Sequence, residues 1–217
     1  FISAGNQTIN MGDANIHSTS TNTMFFSGTG SYTLLSDFNV ASRIEVSNST
    51  FNANGFAVTC GLFYIFTPVS GSKTINFQNS KLTVSSGATT NSITGGLVFN
   101  ASTSSTTYNF TNAEIVMDQK HKDCTLSATF TGSGTTITGL KSLTFKESSP
   151  NLVQNDIYND FSFTIGVTDL NINVTSFNLQ TNNSNLNVTN LNFLQPVYYS
   201  TTAKHNLQVN TINEFNS

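Results

Sequence analysis

Thr74-Ile75-Asn76-Phe77-Gln78-Asn79-Ser80-Lys81-Leu82-Thr83-Val84 and Thr107-Tyr108-Asn109-Phe110-Thr111-Asn112-Ala113-Glu114-Ile115-Val116-Met117 carry apolar side chains at matching places. A central Asn stands at the same point in both, and 112 minus 79 is 33. Repetition at this period marks stacked units that share one core. Within each phrase apolar and polar residues alternate, the period-two pattern of a half-buried strand. Between the strands lies an Asn step, and Asn tolerates the left-handed backbone of a sharp corner.

The phrase is legible elsewhere. It runs from Ile44 to Phe51, with Asn48 at the step, and more loosely from Ile137 to Phe145, where Lys141 replaces the Asn. From Ile44 to Ile75 is 31 residues, and from Ile75 to Tyr108 is 33. Later copies begin at Leu170, Leu186 and Leu207, at intervals of 16 and 21. These spacings predict an all-β, parallel β-helix, with loops interrupting the early coils and nearly bare late ones. Residues 1–217 read as a single β-helix segment, a piece of something longer. Asn48, Asn79 and Asn112 read equally as a side-chain ladder stacked along the axis or as a reflection of the Asn-rich composition.

Composition agrees. Asn (30), Thr (33) and Ser (28) dominate, while charged residues make up only 9%, against about 25% in an ordinary globular protein. Those three residues are poor in helix interiors, whereas Thr, Val, Ile, Phe and Tyr suit a pleated surface. With 18 Phe and 6 Tyr and a net charge of only −3, the chain has core material and little self-repulsion, so it is expected to fold rather than stay disordered. An antiparallel sandwich would need hairpin dipeptides, and Asn54-Gly55 is the one that fits. The segment from Ser149 to Phe161 reads equally as a short helix or a loop. The stretches around Gly28-Thr29-Gly30 and Gly132-Ser133-Gly134 read as loops or sharp corners.

Several function classes find no support. Lys120-His121-Lys122 is the one hint of a basic patch, and Asp118 and Asp123 bracket it; nucleic acid needs a broader basic face. No apolar run approaches the roughly 20 residues of a membrane-spanning helix. His17, His121 and His205 are scattered, and no His or Cys pair has zinc-ligand spacing. Asp156 and Asp160 are the nearest approach to a glycosidase carboxylate pair, yet they read as solvated acids at a turn or helix end. Gly95-Gly96 precedes a strand, the reverse of a phosphate loop. No catalytic, metal or cofactor-binding residue is assigned, and the binding residues are unknown. Cys60 and Cys124 lie 64 residues apart. If they hold equivalent places two coils apart they are roughly 9 to 10 Å from each other, too far for a disulfide, so free buried thiols are expected.

Asp169-Leu170-Asn171-Ile172-Asn173-Val174 and Asn185-Leu186-Asn187-Val188-Thr189-Asn190-Leu191-Asn192-Phe193 resemble the passenger β-helices of autotransporters of the adhesin and vacuolating-cytotoxin-like kind. The similarity is one of texture from about Ser36 onward, and it transfers no functional residue. It implies that the fold is a right-handed parallel β-helix, a non-enzymatic segment at the bacterial surface, exported through an outer-membrane barrel that lies outside this chain. The implied partner is a host-cell glycan or protein receptor, met through loops and exposed aromatics such as Tyr198 and Tyr199. A polysaccharide-degrading β-helix is the enzymatic alternative, and a structural spacer is the plainest one. With a single arginine, Arg43, and no compact acid cluster, the sequence favours adhesion or spacing over catalysis.

Overall fold

The computed structural model describes residues 1–12, 23–66, 73–85, 95–101, 106–120, 126–132, 135–148, 155–160, 164–182, 185–202 and 206–214. Among them the chain is a parallel β-helix: every strand pairing is parallel, and no helix occurs. Each coil runs over three faces. The first is built by β1 (Asn6–Ile9), β3 (Ser31–Leu34), β5 (Thr50–Asn52), β7 (Lys73–Asn76) and β10 (Thr106–Asn109). The second holds β8 (Lys81–Ser85) and β11 (Glu114–Gln119). The third holds β2 (Thr23–Ser27), β9 (Gly95–Ala101), β12 (Leu126–Gly132), β14 (Asn155–Asp160), β16 (Ser176–Asn182) and β18 (Tyr198–Thr202).

Long strands turn from one face to the next. β4 (Phe38–Ser47) and β6 (Ala57–Phe66) pass from the second face to the third. β13 (Thr136–Glu147), β15 (Thr164–Asn173), β17 (Asn185–Phe193) and β19 (Asn206–Asn213) pass from the first to the second. Parallel strands joined through a crossover are right-handed in about 98% of cases, because of strand twist.

Register makes the coils countable. The column Phe38, Val58, Leu82, Ile115, Leu143, Leu170, Leu191, Ile212 runs the length of the second face. Its longest step, Leu82 to Ile115, is 33 residues, and its last two are 21 each. The insertions therefore lie in the coils before Leu170. The first seven members are all buried, and the core is continuous along the axis.

Aromatic rings form a spine inside it. Phe26 packs on Phe51 at 5.3 Å between centroids, Phe51 on Phe77 at 5.8 Å, and Phe77 on Phe110 at 5.3 Å with planes 14° apart. Phe110 then meets Phe99, which meets Phe130. Each fully buried Phe contributes up to about 3 kcal/mol through apolar burial, and each ring pair adds about 1 kcal/mol. Stacking equivalent coils is what makes this possible, since each new coil lays a ring over the previous one.

The Asn steps are left-handed as expected: φ is 57° at Asn48, 55° at Asn79 and 57° at Asn112. Asn79 and Asn112 stand one above the other, and the Asn112 side-chain amide donates to Asn79 Oδ1 at 3.0 Å. Asn48 does not join them. Ile44 pairs with Phe63 on the third face, whereas Ile75 pairs with Phe51 on the first. The 31-residue interval thus compares two different faces. Asn48 turns the chain from the third face to the first, and Asn79 and Asn112 turn it from the first to the second. The interval from Leu170 to Leu186 is corrected likewise, since Leu170 pairs with Leu191 and Leu186 with Leu207.

Asn54-Gly55 is a two-residue turn with φ of 55° and 83°, closed by Phe56 N–H on the Ala53 carbonyl at 3.0 Å. It has the backbone signs of a hairpin turn, yet it joins β5 to β6, which pair with other strands. The helical alternative for the segment from Ser149 to Phe161 is also overturned. Residues 155–160 form β14, paired in parallel with β12 and β16; the flanking residues lie outside the described ones. Ladders on both sides give this backbone the hydrogen-bond partners that a helix would have to supply internally.

Candidate functional site

A more regular asparagine ladder lies three residues before the corner. Asn52, Asn76 and Asn109 end the strands of the first face in register. Each side-chain oxygen accepts the backbone N–H two residues on: Asn54 at 3.0 Å, Gln78 at 3.1 Å and Thr111 at 3.2 Å. Asn76 also donates to Asn52 Oδ1 at 3.0 Å. The signal was present as Asn-Phe-x-Asn in both Asn76-Phe77-Gln78-Asn79 and Asn109-Phe110-Thr111-Asn112. On the second face, Asn213 donates to Asn192 at 2.7 Å, Asn192 to Asn171 at 2.8 Å, and Asn171 to the Thr144 hydroxyl at 3.0 Å. These amides satisfy one another and stiffen the axis.

Several ionisable residues are engaged structurally. Asp118 is buried, accepting from the Ser148 hydroxyl at 2.6 Å and lying 3.1 Å from Lys146 Nζ. Lys146 is thus a cation facing Asp118, besides the Lys120-His121-Lys122 segment expected from sequence; Asp123, His121 and Lys122 lie outside the described residues. Lys141, which replaces the expected Asn, pairs with Glu114 at 2.6 Å, holding that carboxyl below its usual range. Arg43 pairs with Glu45 and lies 4.5 Å from the Tyr64 ring centroid, a cation–π contact. Asp156 and Asp160 are four residues apart on one strand, about 13 Å along the backbone.

Cys60 is a buried free thiol, and burial pushes its pKa up. Its column runs from Val40 through Cys60 and Val84 to Met117. Two coils beyond Cys60 the place is held by Met117, so the expected equivalence with Cys124 does not hold. Cys124, His17 and His205 lie outside the described residues. Among the described residues no group of three His, Cys, Asp or Glu is placed to hold a metal. Tyr198 is exposed, as expected of a surface aromatic.

Sequence reasoning missed a groove on the outside of the late coils, about 400 Å³ in volume. Along the axis it follows Gly139, Gly166, Asn187 and Gln208, the last three being direct partners on β15, β17 and β19. Thr168, Thr189 and Asn210 form its second wall. Beneath it lie Leu140, Val167 and Val188, all buried. The groove begins at a bulge: Ile137 pairs with Ile165 and Leu140 with Val167, so Thr138 and Gly139 together oppose Gly166. Bulges bend the strand and re-aim side chains. Gly139 has φ of 75°, a conformation costly to residues with a Cβ.

The fold places this chain among the parallel β-helices. No known protein family, curated protein or solved structure matches it.

Proposed function

We propose that the chain is a non-enzymatic β-helix segment of an autotransporter passenger, displayed at the bacterial surface and acting in adhesion to host cells or as part of a toxin passenger. The observation that supports this reading best is the uncharged groove on the late coils. It offers amides and hydroxyls on a rigid frame, and among the described residues no ionisable side chain lines it. Such a wall suits recognition, whereas acid–base chemistry needs titratable groups facing one bond. The partner is a host glycan or protein receptor.

A spacer is the second reading, favoured by the stacked amides of Asn171, Asn192 and Asn213 and by the aromatic spine. Both stiffen the long axis without requiring a ligand.

Binding of the 217-residue chain to cultured host cells and to a glycan array distinguishes the two. Saturable cell binding is the expected result. Silence in both assays, with binding retained by flanking segments of a longer protein, would leave the spacer. Oligosaccharide release from polygalacturonate would instead restore the enzymatic alternative.

A further inference from the structure

Gly166 is a glycine without a structural reason. Its backbone does not lie in the left-handed region, and a Cβ built there would meet the Ile137 carbonyl and Thr138 Cα at 3.8 Å, ordinary van der Waals contact. By contrast, Gly139 needs its positive φ, and Gly28 carries the backbone of Ser3 where a Cβ would stand. A glycine inside a strand weakens it and often marks a place where another group approaches the backbone closely. What glycine does at 166 is leave the groove open, because any side chain there would fill the space between the bulge and Asn187.

The walls have a second peculiarity. Asn171, Asn192 and Asn213 bond to one another along the neighbouring face. Asn187 and Gln208 are also direct register partners, but among the described residues no side-chain hydrogen bond joins them. Their amides keep donors and acceptors free toward the groove. Thr168 and Thr189 line the same space.

We propose that this groove is a binding site for an uncharged oligosaccharide. Resting on the adhesion reading above, the proposal names its ligand class and its site. Sugar hydroxyls both donate and accept, and so do the Asn and Gln amides and the Thr hydroxyls that line the walls. A carboxylated or sulfated sugar would bring a charge to a wall that has no cation among the described residues, an uncompensated desolvation. The groove spans three strand-to-strand steps from Gly139 to Gln208, about 14 Å at the usual spacing, room for an extended short chain. Its volume also falls in the usual range for small-ligand sites, about 300 to 1,000 Å³.

The test uses an array of neutral oligosaccharides printed beside their sialylated and sulfated counterparts, with affinity for the best neutral hit then measured by calorimetry. The wild-type chain is expected to retain neutral glycans, with little dependence on salt. Gly166→Val should weaken that binding by about tenfold or more while leaving the thermal midpoint unchanged or raised. Asn187→Ala, which opens the groove but removes an amide, should weaken it roughly five- to twentyfold, the worth of one or two neutral hydrogen bonds. Undiminished binding by both variants would overturn the site. Retention of acidic glycans alone would overturn the ligand class. Cell binding by wild type without any glycan retention would refute the oligosaccharide site yet leave adhesion standing; loss of cell binding as well would remove both.

Discussion

Asn112 donates its side-chain amide to Asn79 Oδ1 across 3.0 Å, although 33 residues separate them, and both backbones are left-handed. One residue type meets two demands here, the tolerance of positive φ and an amide that bonds its copy on the next coil. Asn112→Ala should lose both. The left-handed backbone costs Ala about 1 to 2 kcal/mol, and the lost bond about 1 kcal/mol. Asn112→Gly keeps the backbone freedom and should lose only about 1 kcal/mol. Urea midpoints at constant slope read the difference. Equal losses for Ala and Gly would show that backbone conformation is not the source.

Phe77 touches Phe51, Phe63 and Phe110 and is fully buried. Phe77→Ala would leave a cavity in the middle of the spine and should cost about 4 kcal/mol. Phe77→Leu keeps most of the volume and should cost about 1.5 kcal/mol. Thr107→Ala, on the exposed side of β10, should stay within about 0.5 kcal/mol. A Phe77→Ala loss no larger than that of Thr107→Ala would mean the rings do not carry the core.

How much of this was legible in sequence follows from what each signal encodes. Alternation around Ile75 and Tyr108 identified strands, and Asn79 and Asn112 identified a corner, because both patterns report local backbone geometry. Face identity was not legible. Ile44-Glu45-Val46 alternates just as Thr74-Ile75-Asn76 does, and any of the three faces produces that pattern; only register assigns Ile44 to Phe63 and Ile75 to Phe51. The same ambiguity misplaced Cys124 relative to Cys60. The strand at residues 155–160 was hidden because Asn155, Asp156, Asn159 and Asp160 are residue types depleted in strands, and only pairing with β12 and β16 draws them into one. The groove left one mark, a glycine inside the strand containing Ile165 and Val167, and a lone Gly says nothing of its neighbours until the coils are stacked.

Asp118 and Lys146 form an asymmetric pair, the carboxylate side chain 6% exposed and the lysine 41%. Removing the lysine strands a buried charge, while removing the carboxylate leaves an ammonium that water can reach. Lys146→Met should therefore cost about 3 kcal/mol, and Asp118→Asn about 1.5 kcal/mol. The double variant should fall close to Asp118→Asn alone, giving a coupling energy in the usual range of about 0.5 to 3 kcal/mol. If Asp118→Asn proves the more damaging, the burial asymmetry does not set the energetics.

Stability should fall at alkaline pH, and the sign follows from three buried acids. Burial raises the pKa of the Cys60 thiol and of the Tyr108 phenol. It also raises Tyr32, against a smaller opposing effect of hydrogen bonds with the backbone of Ser3 and Ser27. In the unfolded chain these groups ionise near their ordinary values, about 8.5 for Cys and about 10 for Tyr. Above those values the unfolded chain has shed protons that the folded chain still holds, so the unfolded state binds fewer protons and unfolding free energy declines with pH. The contribution is complete below about pH 8.5 and is lost progressively above it. Urea midpoints measured across that range should decline in two stages, thiol first and phenols after. Cys60→Ala should flatten the first stage and leave the second, and native Cys60 should stay unmodified by thiol reagents until urea exposes it. A wild-type midpoint that holds level from about pH 8 to pH 10 would contradict the burial of an ionisable Cys60.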